Sequence, residues 1–392
     1  MSTKRNRLHL LVCRMEEAVM ERWSTWLRPI PRHAIAATIA AMTSMMLFGC
    51  ATPPPKQEEV KLVWPPPPLT PRVKFVRSIV SEDSLERDST FSEQAYAFLT
   101  GERMPINHIA EPMGLAVSDD TERLYVSDNM QRTVFVFDFK KKQFWKYNDV
   151  GVPGGIALDA QERLYVVDML GKSVRIFGPD RKLVNQIVDE TVTKPTGIAV
   201  DKVNGKVYLV DTSNKDAEEM NVKVYDLQGK RIGQIGGKPG GAFGEFSYPT
   251  YATVDDKGYL YVSDTMNARV QKFDASGKHV YTYGQMGSAW GEFDKPKGVA
   301  VDGFGNLYVV DSGWSNVQIF NEHGQILLFF GGRGPGPGML KNPLAIAIDR
   351  NNRIYVGDYL NHRVEVYDLV NTTANDSFLK PPSKNPVPKG AK

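Results

Sequence analysis

The chain has 392 residues, of which 24% are charged and 10% aromatic, with a formal net charge of +3 and two cysteines. Residues 1–49 hold seven basic and three acidic groups, so the excess charge sits there and the remainder stands at −1. A body this close to neutral lacks the electrostatic footprint of a nucleic-acid binder.

In chain order, the first feature is a leader. Arg28 and Arg32 precede an uncharged run, 34–48, long enough for a signal segment and short for a membrane span. The run ends Leu47-Phe48-Gly49-Cys50, which resembles a bacterial lipobox, with Phe48 bulkier than that motif usually carries. The resemblance implies cleavage before Cys50, lipid on Cys50 and, because Ala51 rather than Asp follows, an outer-membrane destination. Met15 and Met20 are alternative starts, so 1–49 reads as a signal peptide with a mis-called extension. After cleavage Cys50 is the single remaining cysteine, leaving no thiol pair for a disulfide. Residues 50–70 hold Pro53 to Pro55 and Pro65 to Pro68 and are expected to be an extended spacer.

From residue 71 to 369 the chain repeats. Six copies of a Pro-x-Gly-Ile-Ala-Val-Asp pattern begin at Pro112, Pro153, Pro195, Pro249, Pro296 and Pro343. Each is followed by Leu-Tyr-Val-x-Asp, ending at Asp128, Asp168, Asp211, Asp264, Asp311 and Asp358. A period of this length, built of short alternating strands, predicts a radial array. Units one to five each have four strand segments; unit six lacks a fourth, and a spare segment, 73–79, precedes unit one. Placing the spare as the outer strand of unit six closes the ring and leaves no long bare edge. The expected fold is therefore an all-β, six-bladed β-propeller with four antiparallel strands per blade. Residues 370–392 are polar and proline-rich and read as a disordered tail.

The segment Asp264-Thr265-Met266-Asn267-Ala268-Arg269-Val270-Gln271-Lys272-Phe273 is very close to the Asp-x-x-Asn-x-Arg-Val-x-x-Phe pattern of NHL repeats. Asp358 to Val364 matches it nearly as well. The units thus resemble NHL repeats, and the whole chain resembles exported bacterial NHL-repeat lipoproteins. The resemblance implies a propeller but no single activity, because the family includes enzymes, RNA binders and protein-binding platforms. Unit four departs from it at Tyr251 and unit six at Ala345, both in place of glycine, and unit three carries an insertion at 213–220.

Strand alternation puts every long connection on one face, called the top: 236–248, 284–295, 331–342, the insertion, and 80–111. Long loops on a rigid scaffold are where binding usually sits. Within 80–111, residues 91–99 have a helical pattern. They are read as a packing element between blades six and one, with a cover over the top opening as the other reading. The six repeat aspartates are expected to accept backbone hydrogen bonds. Candidate binding residues on the top face are Tyr251, Trp290, Trp314, Arg132, Tyr359 and His362.

No catalytic residue is assigned. The expected function is a membrane-anchored platform binding a protein, peptide or envelope polymer as a monomeric propeller, without nucleic acid. The alternative is a hydrolase or lyase working in the central channel, as in the amidating lyase and calcium-dependent lactonases that the resemblance brings in. No HxH or HxxxH pair supports zinc. Oxygen ligands leave no spacing signature, so calcium at Glu111, Asp294 or main-chain oxygens stays open. No cofactor is otherwise expected.

Overall fold

A computed structural model describes residues 62–213 and 219–372. The leader, Cys50, most of the spacer, the middle of the insertion and nearly all of the tail lie outside the described residues.

Six sheets stand around one axis; five run outward in chain order, and the sixth is completed by strands from the start of the described chain. The inner strands are Pro112–Val117, Pro153–Leu158, Pro195–Asp201, Pro249–Val254, Pro296–Val301 and Pro343–Ile348. Each touches the next, and the sixth touches the first, so the ring is closed. Their small residues allow this approach. A Cβ on Gly155 would lie 2.9 Å from the Gly197 Cα, and one on Gly298 would lie 2.8 Å from the Leu344 carbonyl oxygen.

The second strands carry the Leu-Tyr-Val core. Tyr165, Tyr208, Tyr261 and Tyr308 are buried between blades. Three of them donate to the aspartate of their own first turn: Tyr165 to Asp159 at 3.1 Å, Tyr261 to Asp255 at 3.0 Å and Tyr308 to Asp302 at 3.0 Å. A buried hydroxyl needs such a partner, so in these three blades a large apolar ring is coupled to a fixed turn.

Closure works as the missing and spare strands predict. Val73–Ile79 pairs antiparallel with Arg363–Leu369, from Val73 opposite Leu369 to Ile79 opposite Val364. Val73 and Ile79 are fully buried, and the Ser78 hydroxyl donates to Glu365 Oε2 at 2.6 Å. One element was not expected. Val63–Trp64 adds a fifth, outermost strand to this blade, so the sheet begins inside the stretch read as spacer. Trp64 packs edge-on to Tyr367, with ring centroids 5.8 Å apart, which gives that strand an apolar anchor.

The helix Phe91–Thr100 forms where its pattern predicts. Thr90 and Glu93 cap each other reciprocally, and Gly101 ends the helix with φ +75°. Its expected sealing role is not seen. None of its residues is buried, and Phe91, Phe98 and Leu99 are 87%, 89% and 80% exposed. Leu85 and Ile109, on either side of it in sequence, pack instead with Ile79, Phe135 and Phe137 at the seam of blades six and one.

Candidate functional site

The top face is built on the repeat aspartates. Asp128 accepts from the Ala110, Glu111 and Gln131 backbone N–H groups at 2.6, 3.1 and 2.9 Å. Asp311 does the same with Asp294, Lys295, Gly313 and Trp314 at 2.8 to 3.2 Å. Asp168 takes Val152 and Gly171, and Asp211 takes Thr193 and Lys194. In Asp264 and Asp358 an asparagine amide, Asn267 or Asn361, replaces the turn N–H, beside Ser247 or Lys341. Five of the six carboxylates therefore tie the incoming inter-blade link to the turn between strands two and three, while Asp211 ties the link and pairs with Lys223. Burial lifts the Asp358 carboxyl to about 6 against these donors.

Three long links share one construction. Gly236, Gly284 and Gly331 turn with positive φ, and Phe246, Phe293 and Leu340 plug the core beneath, each fully buried. Gln271 and Gln318 hold the loops above blades four and five. Their Oε1 atoms accept from Gly244 and Gly291, and their Nε2 atoms donate to the Glu245 and Glu292 carbonyls. Both loops fold down over their blades, bringing Phe243 to His279 and Gly291 to Ile326, the first residues of the outer strands and the end away from the top face, and their tips are aromatic. Phe243 is 73% exposed and stacks on His279, with centroids 4.6 Å apart; Trp290 is 77% exposed and meets Phe329 edge-on at 5.4 Å. The Trp314 indole N–H donates to the Gly287 carbonyl at 3.3 Å. Trp314 thus anchors to the backbone of the link that carries Trp290.

Tyr251 stands elsewhere, in the channel. It replaces the inner-strand glycine of blade four, and its hydroxyl donates to the Met113 carbonyl of blade one at 2.9 Å. Blades one and four face each other across the ring, so this side chain spans the axis. Its ring packs against apolar clusters on both sides, and burial raises its hydroxyl pKa.

Above this plug the mouth is asymmetric. On blades three and four the Thr196–Thr212 and Thr250–Thr265 hydroxyl pairs are anchored on the Pro249, Thr250 and Pro296 carbonyls. Lys194 donates to the Tyr248 hydroxyl at 2.8 Å. Lys297 follows Pro296 on the inner strand, and Ser263 donates to its carbonyl. Burial, then Lys295 and Lys194, holds the Lys297 amine down to about 8. On blades one, two and six the positions matching Lys297 are Met113, Gly154 and Leu344.

The remaining candidates do not join one site. Tyr359 sits beside Glu111, and burial followed by that carboxylate raises its hydroxyl pKa. His362 Nδ1 contacts the Ala110 carbonyl, so both lie where blade six meets blade one. Arg132 is an exposed turn residue of blade one with φ +51°. Glu111 and Asp294 precede the inner strands of different blades, one and five. Among the described residues, no three His, Cys, Asp or Glu side chains group as a metal site. Sequence reasoning missed Lys194, Lys297 and Phe243. Lys297 was visible as a charged residue in a column of small or apolar ones, and Phe243 as the counterpart of Trp290 in the preceding link.

The NHL repeat description matches residues 340–367, the last link and blade six. Among solved structures, an auxiliary nutrient-binding protein from Bacteroides ovatus superposes with a TM-score of 0.53 at 15% identity, covering 66% of this chain and 69% of that one. A gluconolactonase from Xanthomonas campestris gives 0.52 at 16%, covering 77% and 98%. A streptogramin B lyase gives 0.51 at 12%, covering 67% and 94%. At these identities the likeness is one of fold. The protein is a six-bladed β-propeller with an NHL repeat at residues 340–367.

Proposed function

We propose that this propeller is a binding platform of the bacterial envelope, exported by its leader, anchored in the outer membrane through lipid on Cys50, and engaging a protein, peptide or envelope polymer through its long inter-blade links. The observation that carries the reading is the set of long links, whose tips lie against the outer strands of blades four and five. Aromatic tips at Phe243 and Trp290 stand in solvent on loops whose backbones are held by Gln271, Gln318 and the repeat aspartates. Rigid, exposed aromatics give contact area at little ordering cost. The alternative, a hydrolase or lyase in the channel, is disfavoured by Tyr251, which fills the axis where a deep site would lie.

The test is crosslinking and capture from native envelope, comparing the parent with a Phe243→Ala/Trp290→Ala double variant. The variant is expected to keep its melting temperature and lose the partner at least tenfold. Retention of the same partner at parental level would sink the reading. Anchoring has a separate measurement: Cys50→Ala is expected to leave the membrane fraction, and continued partition with outer membranes would refute the lipid anchor.

A further inference from the structure

The channel mouth holds a cationic cluster that the scaffold does not require. Five of the six blades close the ring with Met, Gly, Thr or Leu at the Lys297 position, so packing there needs no charge. The Lys194 ammonium lies 5.0 Å and the Lys297 ammonium 5.9 Å from the centroid of the same Tyr248 ring. Lys295, two residues before Lys297, brings a third positive charge to bear on it. Among the described residues, none of the lysine ion pairs involves Lys194, Lys295 or Lys297. Three ammonium groups gathered around a mostly desolvated position repel one another, and an anion bound among them would relieve that repulsion.

The surroundings narrow the ligand. Tyr251 closes the channel one residue below the Lys297 layer, so a molecule can insert only its end. The threonine hydroxyls around the mouth are engaged with one another and with main-chain carbonyls, which leaves the lysines to carry the charge recognition. The body outside residues 1–49 is at −1, so an extended polyanion finds no basic track. Met113 and Leu344 at the matching positions of blades one and six offer an apolar side.

We propose that the channel mouth above Tyr251 binds the oxyanion of a small molecule with an apolar body, a carboxylate or a phosphomonoester, held by Lys297 and Lys194 with Lys295 at the rim. The site is distinct from the aromatic link tips, and its occupancy does not depend on the platform reading. The groups facing Lys297 are Lys194 and Tyr248 from the links into blades three and four, Lys295 from its own link, and Tyr251 from below. None is an acid that would hold the charge as pH rises, so affinity should fall between pH 7 and pH 9.

The experiment is calorimetry and thermal shift on the full chain with phenylacetate and phenyl phosphate, at constant ionic strength. Saturable one-to-one binding by either compound is expected, and which one binds assigns the oxyanion as carboxylate or phosphate. Lys297→Met is expected to abolish it and Lys194→Met to weaken it at least tenfold. If Lys297→Met does not fold, Lys194→Met carries the comparison. Absence of saturable binding by both compounds, or unchanged affinity in the folded lysine variants, overturns the proposal. The Phe243→Ala/Trp290→Ala variant should bind these anions as the parent does, which separates this site from the link tips.

Discussion

The same tyrosine of the repeat has different neighbours in different blades. Tyr308 donates to Asp302 Oδ2, which also accepts from the Asn306 amide, whereas in blade three Asp201 Oδ2 accepts from the Asn204 amide at 2.8 Å and the buried Tyr208 hydroxyl has no hydrogen-bond partner among the described residues. An unmet buried hydroxyl is costly, and a made bond is worth about 1 kcal/mol. Tyr308→Phe should therefore destabilise by about 1 kcal/mol in urea, while Tyr208→Phe should be neutral or stabilising; equal losses would contradict this. Glu365 stands where blades four and five have Gln271 and Gln318, and its Oε1 accepts from Gly338 as theirs do from the matching glycines. Burial pushes its carboxyl up to about 7, although Ser78 and the Arg363 guanidinium, 2.7 Å away, favour the charged form. A carboxyl raised on folding adds stability that is complete below its unfolded value near 4.5 and is lost as pH rises through about 7, here on the order of 3 kcal/mol. Glu365→Gln should flatten unfolding midpoints across that window and match or exceed the parent at pH 8. A loss of more than about 2 kcal/mol at pH 8 would mean that the Arg363 pair outweighs its desolvation.

Elements were legible where their signal is local. The spare strand 73–79, the fourth strand at 183–188 and the helix at Phe91–Thr100 each follow from alternation, turn residues or a capping box within the segment itself. What was not legible depends on distant partners. The helix pattern does not say that its apolar side chains stay in solvent, and Val63–Trp64 becomes a strand because Tyr367 and Phe330 lie beneath Trp64. The glycine-rich links show how tertiary packing gives a local residue its meaning. Gly236 has φ +81°, and a Cβ there would lie 2.6 Å from the Phe246 ring. Gly233, three residues earlier in the same strand Arg231–Gly237, has ordinary φ and open space around it. Gly236→Ala should cost about 2–4 kcal/mol from backbone strain and overpacking. Gly233→Ala should be neutral or gain about 0.5 kcal/mol by restricting the unfolded chain. Thermal denaturation of the two variants side by side decides the matter, and similar effects would show that the link is not packed as described.

For the whole molecule, the repeat reveals the ring, and its irregular copies mark the places that differ from scaffold. Tyr251 was conspicuous in sequence as a break in a glycine column. That it bridges to Met113, 138 residues away, follows only from placing blade four opposite blade one. Closure is the property that belongs to no single blade. The sixth sheet takes Arg363–Leu369 from the end of the chain and Val73–Ile79 from the start. Removing residues 1–79 takes away two fully buried apolar side chains, Val73 and Ile79, together with the Trp64 and Phe75 contacts on Tyr367. At about 1.5–3 kcal/mol for each fully buried side chain, the loss is comparable to the net stability of an ordinary domain. It also bares the backbone groups of Arg363–Leu369, an edge that can pair with another copy. The truncated protein should therefore melt well below the parent and elute as dimers or larger species in size-exclusion chromatography. Adding a peptide of residues 62–80 in trans should restore the monomer, because the pairing register is set by Val73 opposite Leu369 and Ile79 opposite Val364. A truncated chain that stays monomeric with the parental melting temperature would show that the ring closes without its N-terminal strand.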